Sequence, residues 1–340
     1  MQNRHAATVS QTGPNFAAPV GTDGYAWWYV DALSDCGRYG VTVIVMLGCV
    51  FSPWYAAARR RGPTDPLQHS AINVALYGAA GHRWALTERG RADVQRDATR
   101  LAIGTSSILW RNGVLQIVVD EITSPWPSKL RGTITVRPPF TLNETHKLDA
   151  NGHHRWAPIA TGSPVELDFE QPKLRWRGTA YFDTNEGDAP LERDFHSWHW
   201  SRATQNGITK IFYDTQWSTH DGTHRGRAKA RTNAHMQGTS IGLQVSRDGS
   251  CTSLLAPPVC ELPTTGWGIH RRSRCDAGIG ATVVDTLENG PFYARSLLRL
   301  PIDGTEWTAF HESVSLRRFA ARWVQLLLPV KLPRRVLRRG

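Results

Sequence analysis

The amino-acid sequence predicts an all-β protein built from antiparallel barrels or sandwiches. About fourteen short runs of β-branched and aromatic residues are separated by clusters of Gly, Pro, Asp and Ser, the pattern of strands joined by turns. No long helical pattern lies between these runs, which excludes the alternation of strands and helices that builds a parallel sheet. The sequence has no repeat of fixed period, so a propeller is disfavoured.

The strand pattern continues through both halves of the chain. In the first half the predicted strands cover residues 24–33, 39–47, 71–77, 83–88, 100–110, 114–121 and 130–137. Asn112 and Gly113 separate two of these runs, and Asn-Gly between apolar runs predicts a tight hairpin. In the second half the predicted strands cover residues 165–170, 174–183, 195–202, 207–214, 240–247, 281–286 and 291–300. The 340 residues are enough for two packed units or one large barrel.

The positive charge of the chain is concentrated at its C-terminal end. The net charge is +11, from 40 Lys and Arg against 29 Asp and Glu. Eight of the basic residues and no acidic residue lie in 317–340, so the rest of the chain carries only +3. Nucleic-acid binding is disfavoured, because Trp and Leu alternate with these charges as a helical stripe and not as a stacking surface on a sheet. The 14 Trp suit a deep apolar cavity as well as a core.

Signals for secretion and for crossing a membrane are missing from the sequence. The first twenty residues are polar, and the longest apolar run, residues 41–51, is too short for a membrane-spanning helix. The five Cys form an odd number without a CxxC pair, which disfavours a disulfide framework and a zinc ribbon. A bridge between Cys251 and Cys260 stays open. We therefore expect a soluble intracellular protein.

One helical pattern stands out near the C-terminus. Residues 313–328 place apolar side chains at intervals of three and four, and Pro329 ends the pattern. Two interpretations are open: a helix packed on a barrel, or an interfacial helix whose apolar side enters lipid while basic residues meet anionic headgroups. The second interpretation predicts membrane contacts by Leu316, Phe319, Trp323, Leu327, Arg334 and Arg335.

The motifs of several large enzyme classes are absent from the sequence. It contains no dinucleotide-binding, P-loop, zincin or nucleophile-elbow motif. His196 and His199 are three residues apart on a predicted strand, where their side chains point to opposite faces and cannot share an ion. We therefore predict neither a metal nor a cofactor.

Two pairs of polar and aromatic residues remain as candidates for a site. His154 and Trp156 are two residues apart, so an extended segment puts imidazole and indole on the same face. Tyr181 and Asp183 end a predicted strand in the same way, while Phe182 points to the other face. Asp183 precedes turn-forming residues and is, on one interpretation, a turn residue itself. On the other it is an acid, which needs apolar surroundings that raise its pKa until the carboxyl group is neutral at pH 7.

Six longer segments stand out along the chain. In order, they are YAWWYVDAL (25–33), FSPWYAAARRRG (51–62), NVALY (73–77), RWALTERG (83–90), YFDTNEGDAPLE (181–192) and WHWSRA (198–203). Together they closely resemble the carotenoid 1,2-hydratases, also called hydroxyneurosporene synthases, of purple photosynthetic bacteria. The resemblance implies two lipocalin-like β-barrel domains, at residues 21–192 and 193–305. It leaves a flexible N-terminus at 1–20 and a basic amphipathic tail at 306–340.

The resemblance also implies an activity and its residues. Such enzymes add water, without a cofactor, across the terminal C1=C2 double bond of acyclic carotenoids such as neurosporene and lycopene. The H-x-W pair of the family matches His154 and Trp156, and its Y-x-D pair matches Tyr181 and Asp183. Asp183 is then the acid that protonates C2. The rings of Trp156 and Tyr181 stabilise the cation at C1, and His154 positions the water and accepts its proton.

The expected partners are the carotenoid, water and an anionic membrane surface. The resemblance places the protein on the cytoplasmic side of the inner membrane, where the substrate dissolves. Two other functions stay open, because a fold does not fix a function. The protein could be a non-catalytic carrier of hydrophobic ligands, or a pericyclase-type enzyme on the same scaffold. A carrier needs the cavity but not the acid.

Overall fold

The computed structural model describes residues 13–78, 81–218 and 236–335. Strands dominate these residues, so the predicted all-β class is confirmed. They form two curled sheets and a separate two-stranded ribbon, and every long strand is antiparallel to its neighbours. No helix in the described ranges is long and apolar enough to cross a membrane.

The strands follow one another along the chain with few helices between them. Those of the first half are β1 (Tyr25–Ser34), β2 (Tyr39–Leu47), β3 (Ser70–Gly78), β4 (Arg83–Arg89), β5 (Val94–Arg96), β6 (Arg100–Ile103), β7 (Ser106–Arg111), β8 (Val114–Ile122), β9 (Lys129–Val136), β10 (His146–Lys147), β11 (His154–Gln171) and β12 (Leu174–Gly187). Those of the second half are β13 (Ser197–Gln205), β14 (Ile208–Ser218), β15 (Met236–Val245), β16 (Cys251–Ser253), β17 (Val259–Leu262), β18 (Arg271–Arg274), β19 (Thr282–Asn289), β20 (Tyr293–Ile302), β21 (Thr305–Ser315) and β22 (Arg334–Arg335).

The helices are short. They are α1 (Pro53–Arg59), α2 (Leu191–Asp194), α3 (Leu316–Phe319) and α4 (Arg322–Lys331), with 3-10 turns at Pro66–His69 and Arg91–Asp93. Ser52 caps α1 by accepting hydrogen bonds from the backbone N–H groups of Trp54 and Tyr55.

The first sheet contains β1–β12 and the short strand β22. Its order in space is β22-β4-β3-β2-β1-β12-β11-β9-β8-β7-β6-β5, with β10 paired to β11. The second sheet has the order β16-β15-β14-β13-β21-β20-β19, and β17 and β18 form the ribbon. The strands β1 and β12, which carry the first recognised segment and the start of the fifth, lie next to each other near the middle of the first sheet.

Two tight turns organise the hairpins of the first sheet. Asn112 and Gly113 have φ angles of 53° and 73° and join β7 to β8, so the predicted Asn-Gly hairpin is confirmed. The predicted single strand at 100–110 is wrong, because the chain reverses at Gly104, whose φ is 64°. Glycine adopts that conformation without steric cost, and the turn splits the run into β6 and β7.

Alternation along the central strands separates two apolar cores. On β1, Trp28 and Val30 belong to the core that the first sheet encloses, whereas Trp27 and Tyr29 face the second sheet. On β12, Phe182 lies in the enclosed core. Successive side chains of a strand point to opposite faces, so Tyr181 and Asp183 face the second sheet.

The described part of the predicted flexible N-terminus packs on the first sheet. Phe16 is fully buried in the enclosed core, and its ring meets that of Trp28 edge-on at a centroid distance of 5.0 Å. Its backbone N–H donates to the carbonyl of Ala98 at 3.1 Å. Flexibility is therefore wrong for residues 13–20, because a buried aromatic ring fixes the segment. Residues 1–12 lie outside the described ranges.

The C-terminal helix predicted over 313–328 is confirmed in part: residues 316–319 and 322–328 are helical, whereas residues 313–315 are not. The strand β21 continues to Ser315 and lies between β13 and β20, so residues 306–315 belong to the second sheet and not to a tail. Two separate helices, α3 and α4, follow, because Ala321 takes an extended conformation that interrupts the helical hydrogen bonds. Pro329 lies inside α4 and not at its end. The apolar residues with helical spacing, from Leu316 to Leu327, lie on α3, on α4 and on the short link between them, so the spacing continues across the break at Ala321.

The residues predicted to contact a membrane separate into two groups. Leu316 and Phe319 are each 1% exposed and pack between the sheets, so their predicted lipid contact is wrong. Trp323 and Leu327 are nearly half exposed on α4. The remaining two, Arg334 and Arg335, are exposed on β22, which pairs with β4; Arg334 also forms an ion pair with Glu88 at 3.3 Å. Residues 336–340 of the predicted basic tail lie outside the described part of the chain.

All five cysteines are free. Cys251 and Cys260 are therefore not bridged to each other. Cys260 lies on β17 beside Cys275, and burial raises the pKa of the Cys260 thiol to about 12.

Candidate active site

The candidate site centres on Asp183, which lies on β12 where the two sheets face each other. Its backbone pairs with Tyr29 on β1 and with Pro158 on β11, so neighbouring strands fix it from both sides. The side chain is buried. Oδ2 accepts one hydrogen bond from Nε1 of Trp156 at 2.8 Å and another from the hydroxyl of Tyr181 at 2.9 Å. Oδ1 is buried without a hydrogen-bond partner.

Burial raises the pKa of Asp183 to about 8, although the hydrogen bonds from Trp156 and Tyr181 act in the opposite direction. The negative charges of Glu312 and Asp31 add to the rise. With that pKa, about nine in ten Asp183 side chains are neutral at pH 7. Because Oδ2 accepts two hydrogen bonds, the proton belongs on Oδ1, the oxygen that has no partner. The side chain is therefore a carboxylic acid with a free O–H at neutral pH.

Aromatic rings from both sheets line the pocket beside this acid. They are contributed by Trp27, Tyr29, Trp198, Trp200 and Tyr213. The rings of Tyr29 and Trp200, one from each sheet, meet edge-on at a centroid distance of 5.5 Å. Aromatic faces attract a cation by about 0.5–2 kcal/mol each, and the larger values apply where water is excluded. The pocket can therefore hold a positive charge that forms next to the acid.

The acid pocket also has two polar wall residues, Asn185 and Glu312. Asn185 follows Asp183 on the same face of β12 and donates from Nδ2 to the hydroxyl of Tyr213 at 3.3 Å. Glu312 comes from β21 of the second sheet. The walls of this pocket therefore offer a water molecule polar groups from both sheets for hydrogen bonding.

A larger, mainly apolar cavity of about 870 Å³, including its opening to solvent, adjoins the acid pocket. The two share Trp27, Tyr29, Trp198 and Glu312 as walls. At its other end the cavity reaches Leu328 on α4 and the residues that follow it. The larger cavity therefore extends from the shared aromatic wall of the acid pocket to α4.

The amino-acid sequence matches known proteins over almost its whole length. Residues 43–339 match the family model described as carotenoid hydratase CrtC. The chain belongs to the carotenoid hydratase CrtC family. It is 47% identical over 323 residues to the acyclic carotenoid 1,2-hydratase of Thiocapsa roseopersicina, covering 95% of this chain and 76% of that one. It is 42% identical over 327 residues to the enzyme of the same name from Rubrivivax gelatinosus, with the same two shares of coverage.

A solved structure supports the fold of this carotenoid hydratase family member. The structure of a protein assigned as AttH from Nitrosomonas europaea has a TM-score of 0.56 to this chain and 13% sequence identity. The match covers 89% of this chain and 99% of that one. At such low identity the likeness extends to the fold alone.

Within this carotenoid hydratase scaffold, three of the four predicted site residues meet. Trp156 and Tyr181 each donate a hydrogen bond to Asp183. The i, i+2 spacing puts Tyr181 and Asp183 on the same face of β12, and the pairing of β11 with β12 brings Trp156 next to them. The polar hydrogens of Trp156 and Tyr181 point to Asp183. Both side chains therefore position the carboxyl group of Asp183 by hydrogen bonds, and their rings can also stabilise a nearby cation.

The fourth predicted residue, His154, lies farther along the same strand. It pairs with Gly187, four residues from Asp183, which is about 13 Å at the usual strand rise of about 3.3 Å per residue. Both ring nitrogens have partners: Nδ1 meets the hydroxyl of Tyr25 and Nε2 meets Oδ2 of Asp194, each at 3.0 Å. Although burial acts in the other direction, the hydrogen bonds from His154 and Arg193 hold the pKa of Asp194 well below its usual range.

Sequence reasoning missed the aromatic walls and Glu312. The alternation in YAWWYVDAL could have found Trp27 and Tyr29, because residues 25, 27 and 29 share a face with each other and with their neighbours on β12. WHWSRA likewise places Trp198 and Trp200 on one face of β13. Nothing local to β21 marks Glu312, because its role depends on the second sheet lying against the first.

No group of three or more His, Cys, Asp or Glu that could hold a metal ion occurs in the described residues. Nδ1 of His199 lies 2.7 Å from the hydroxyl of Ser313, and burial lowers the pKa of that imidazole to about 3. The arrangement around Asp183 is suited to acid chemistry: it can offer a proton to an apolar ligand and surround the resulting cation with aromatic rings.

Proposed function

We propose that this protein adds water across the terminal C1=C2 double bond of an acyclic carotene such as neurosporene or lycopene, giving a 1-hydroxycarotenoid. The observation that carries the proposal is Asp183, a carboxyl group that is neutral at pH 7, has one oxygen without a hydrogen-bond partner and lines an aromatic pocket. The names of the relatives from Thiocapsa roseopersicina and Rubrivivax gelatinosus support the same activity.

Proton transfer from Asp183 starts the reaction. The π electrons of C1=C2 form a new bond between C2 and the proton on Oδ1, which leaves a tertiary cation at C1 and a carboxylate on Asp183. An unactivated alkene is a weak base, so the O–H group of Asp183 must not donate a hydrogen bond to another protein group, which would make it a weaker acid. The two donors on Oδ2, Trp156 and Tyr181, stabilise the carboxylate that forms and leave Oδ1–H free.

The cation at C1 then needs negative potential around it. The faces of Trp27, Tyr29 and Trp200 supply that potential, and a desolvated pocket makes each contribution larger than at the protein surface. Capture of the cation by water forms the C1–O bond and gives the tertiary alcohol.

His154 supports this pocket from a distance. Its ring accepts from or donates to the hydroxyl of Tyr25, whose ring in turn stacks on Trp27 at 4.9 Å. We therefore place His154 as a positioning residue for the aromatic wall, because its nitrogens are both engaged about 13 Å along the strand from Asp183.

The substrate is insoluble in water, and α4 provides the means of reaching it. Beside the cavity mouth, α4 exposes Leu326 and Val330, which are 78% and 71% exposed, together with Trp323 and Leu327. Lys331, at the end of α4, lines the cavity. We propose that this face enters the surface of an anionic membrane on its cytoplasmic side, so that a carotene passes directly from lipid into the cavity.

The experiment that tests the function is Asp183→Asn assayed for binding and for turnover. We expect lycopene or neurosporene to quench tryptophan fluorescence as in the wild-type protein, because the cavity is unchanged. Hydroxylated product should fall by at least about 100-fold, the lower range for a lost general acid. Wild-type protein that binds carotene but forms no hydroxylated product would instead indicate a carrier. An Asp183→Asn protein with more than about a tenth of wild-type turnover would refute the assignment of the acid.

A further inference from the structure

Glu312 belongs to a row of side chains that crosses five neighbouring strands of the second sheet. The row consists of Tyr213 on β14, Trp200 on β13, Glu312 on β21, Arg295 on β20 and Glu288 on β19, each paired with the next. Directly paired residues point to the same side of a sheet. The row therefore faces the first sheet, and Glu312 is its member that lines both the acid pocket and the larger cavity.

Arg295 fixes the position of the Glu312 carboxylate. The guanidinium is fully buried and donates from Nε at 2.9 Å and from Nη2 at 2.6 Å, both to Oε1 of Glu312. It also forms an ion pair with Glu288 and donates to the hydroxyl of Tyr77. Because both bonds to Glu312 reach Oε1, the ion pair does not occupy Oε2. One arginine thus faces two carboxylates, and the cluster keeps a negative charge at the wall of the pocket.

The charge of Glu312 acts on the acid pocket. After burial, it is one of the causes that raise the pKa values of Asp183 and Tyr213. Asp183 comes from the first sheet and Glu312 from the second, so a ligand between the sheets has a proton donor on one side and a carboxylate on the other.

We infer that Glu312 is a second catalytic residue, which orients the attacking water and accepts its proton. The inference rests on the proposed hydration. Asp183 transfers its proton to C2, the oxygen of water bonds to C1, and one O–H bond of that water breaks as its proton passes to the carboxylate of Glu312. The products are the alcohol, an ionised Asp183 and a protonated Glu312. Return of one proton from Glu312 to Asp183 through pocket water restores the enzyme, and the sum is alkene plus water to alcohol.

Glu312 fits this task better than His154 because of position. His154 lies about 13 Å along the strand from Asp183 with both nitrogens engaged, whereas Glu312 shares a pocket with Asp183. A carboxylate also stabilises the cation at C1 by its charge. Since the two carboxyl groups approach from facing sheets, the proton and the water should reach opposite faces of the double bond. The addition is therefore expected to be anti.

The first test compares Glu312→Gln with Asp183→Asn in D2O, using lycopene and following both product and recovered substrate. In Glu312→Gln the cation still forms at C1, but water capture stalls and the cation reverts by losing a proton or deuteron from C2. We expect hydration to fall by about 10²–10⁴-fold while recovered lycopene gains deuterium. Asp183→Asn should lose both reactions. Glu288→Gln is the matched comparison, because it removes a carboxylate from the same arginine outside the acid pocket, and it should lose less hydration than Glu312→Gln.

The outcomes separate the two proposals. A Glu312→Gln variant whose hydration rate stays within about threefold of wild type would overturn the role of Glu312, because loss of a general base costs about 100-fold or more. Loss of deuterium exchange together with hydration, in a variant that melts like the wild type, would also overturn it, because Glu312 would then be needed for protonation. Failure of Asp183→Asn to lose either reaction would refute the proposed acid instead.

The second test uses the wild-type protein and does not depend on any variant folding. A carotene labelled with ¹³C in one terminal methyl group is hydrated in D2O, and the relative configuration at C1 and C2 of the product is determined by NMR. Anti addition is expected. Syn addition would overturn the inference, since it would mean that proton and water come from the same side, the side of Asp183.

Discussion

Replacing Asp183 by Asn should stabilise the folded protein at alkaline pH. The carboxyl group has a pKa of about 8 when folded against 3.8 as the ordinary value, because burial disfavours the charge. Between these two values the folded chain binds one more proton than the unfolded chain, so the free energy of unfolding falls as pH rises. The stabilisation from the protonated carboxyl group is present in full below about pH 4, falls by about 1.4 kcal/mol per pH unit above it, and is lost near pH 8. Asn does not titrate, and its amide oxygen can accept from Trp156 and Tyr181.

From pH 6 to pH 9 the wild-type protein should therefore lose about 3 kcal/mol that Asp183→Asn keeps. Urea unfolding of both proteins at the two pH values measures this, and other titrating groups cancel in the difference between them. Asp35→Asn, on an exposed carboxylate at the end of β1, is the control and should show no such change. An Asp183→Asn advantage that is the same at both pH values would refute the reasoning, because it would mean that the carboxyl group is already ionised at pH 6.

Three further outcomes are expected. Hydration by the wild-type protein should fall tenfold per pH unit above about pH 8, since the acid must carry its proton; a rate that is flat to pH 10 would contradict this. Trp156→Phe removes one hydrogen bond to the carboxylate of Asp183, so the pKa of Asp183 should rise by about one further unit and hydration should slow about tenfold. A variant whose hydration rate begins to fall at the same alkaline pH as that of the wild type would contradict this. Leu326→Glu with Val330→Glu should reduce flotation with anionic liposomes about tenfold or more, whereas Leu255→Glu on another exposed side chain should not.

The sequence predicted what depends on local periodicity. The i, i+2 spacing of Tyr181 and Asp183 put both on one face of β12, and the structure has them there, joined by a hydrogen bond. The same period explains why Phe182 lies in the other core. These features need only the alternation of a strand, which is visible in a single segment.

What sequence reasoning did not predict depends on elements far apart in the chain. Glu312 faces Asp183 only because β21 pairs with β13 and β20 and the second sheet packs against the first. The predicted helix over 313–328 began too early for a related reason: residues 313–315 belong to a strand that pairs with β13 and β20, whereas Leu316 begins α3. Periodicity over a short window does not distinguish a helix from a strand followed by a helix.

The division of each central strand between two environments also confines contact with the ligand to one of its faces. On β1 the even-numbered positions, such as Trp28 and Val30, fill the enclosed core, whereas the odd-numbered positions, such as Trp27 and Tyr29, form the cavity wall. A change of side chain at an odd position reshapes the space offered to the carotene without opening a hole in that core. A mutational scan along β1 should therefore alternate residue by residue in substrate preference, which should respond at odd positions and not at even ones, whereas the melting temperature should respond on both faces. Enzymes that discriminate between carotenes could diverge along this strand while keeping the same scaffold.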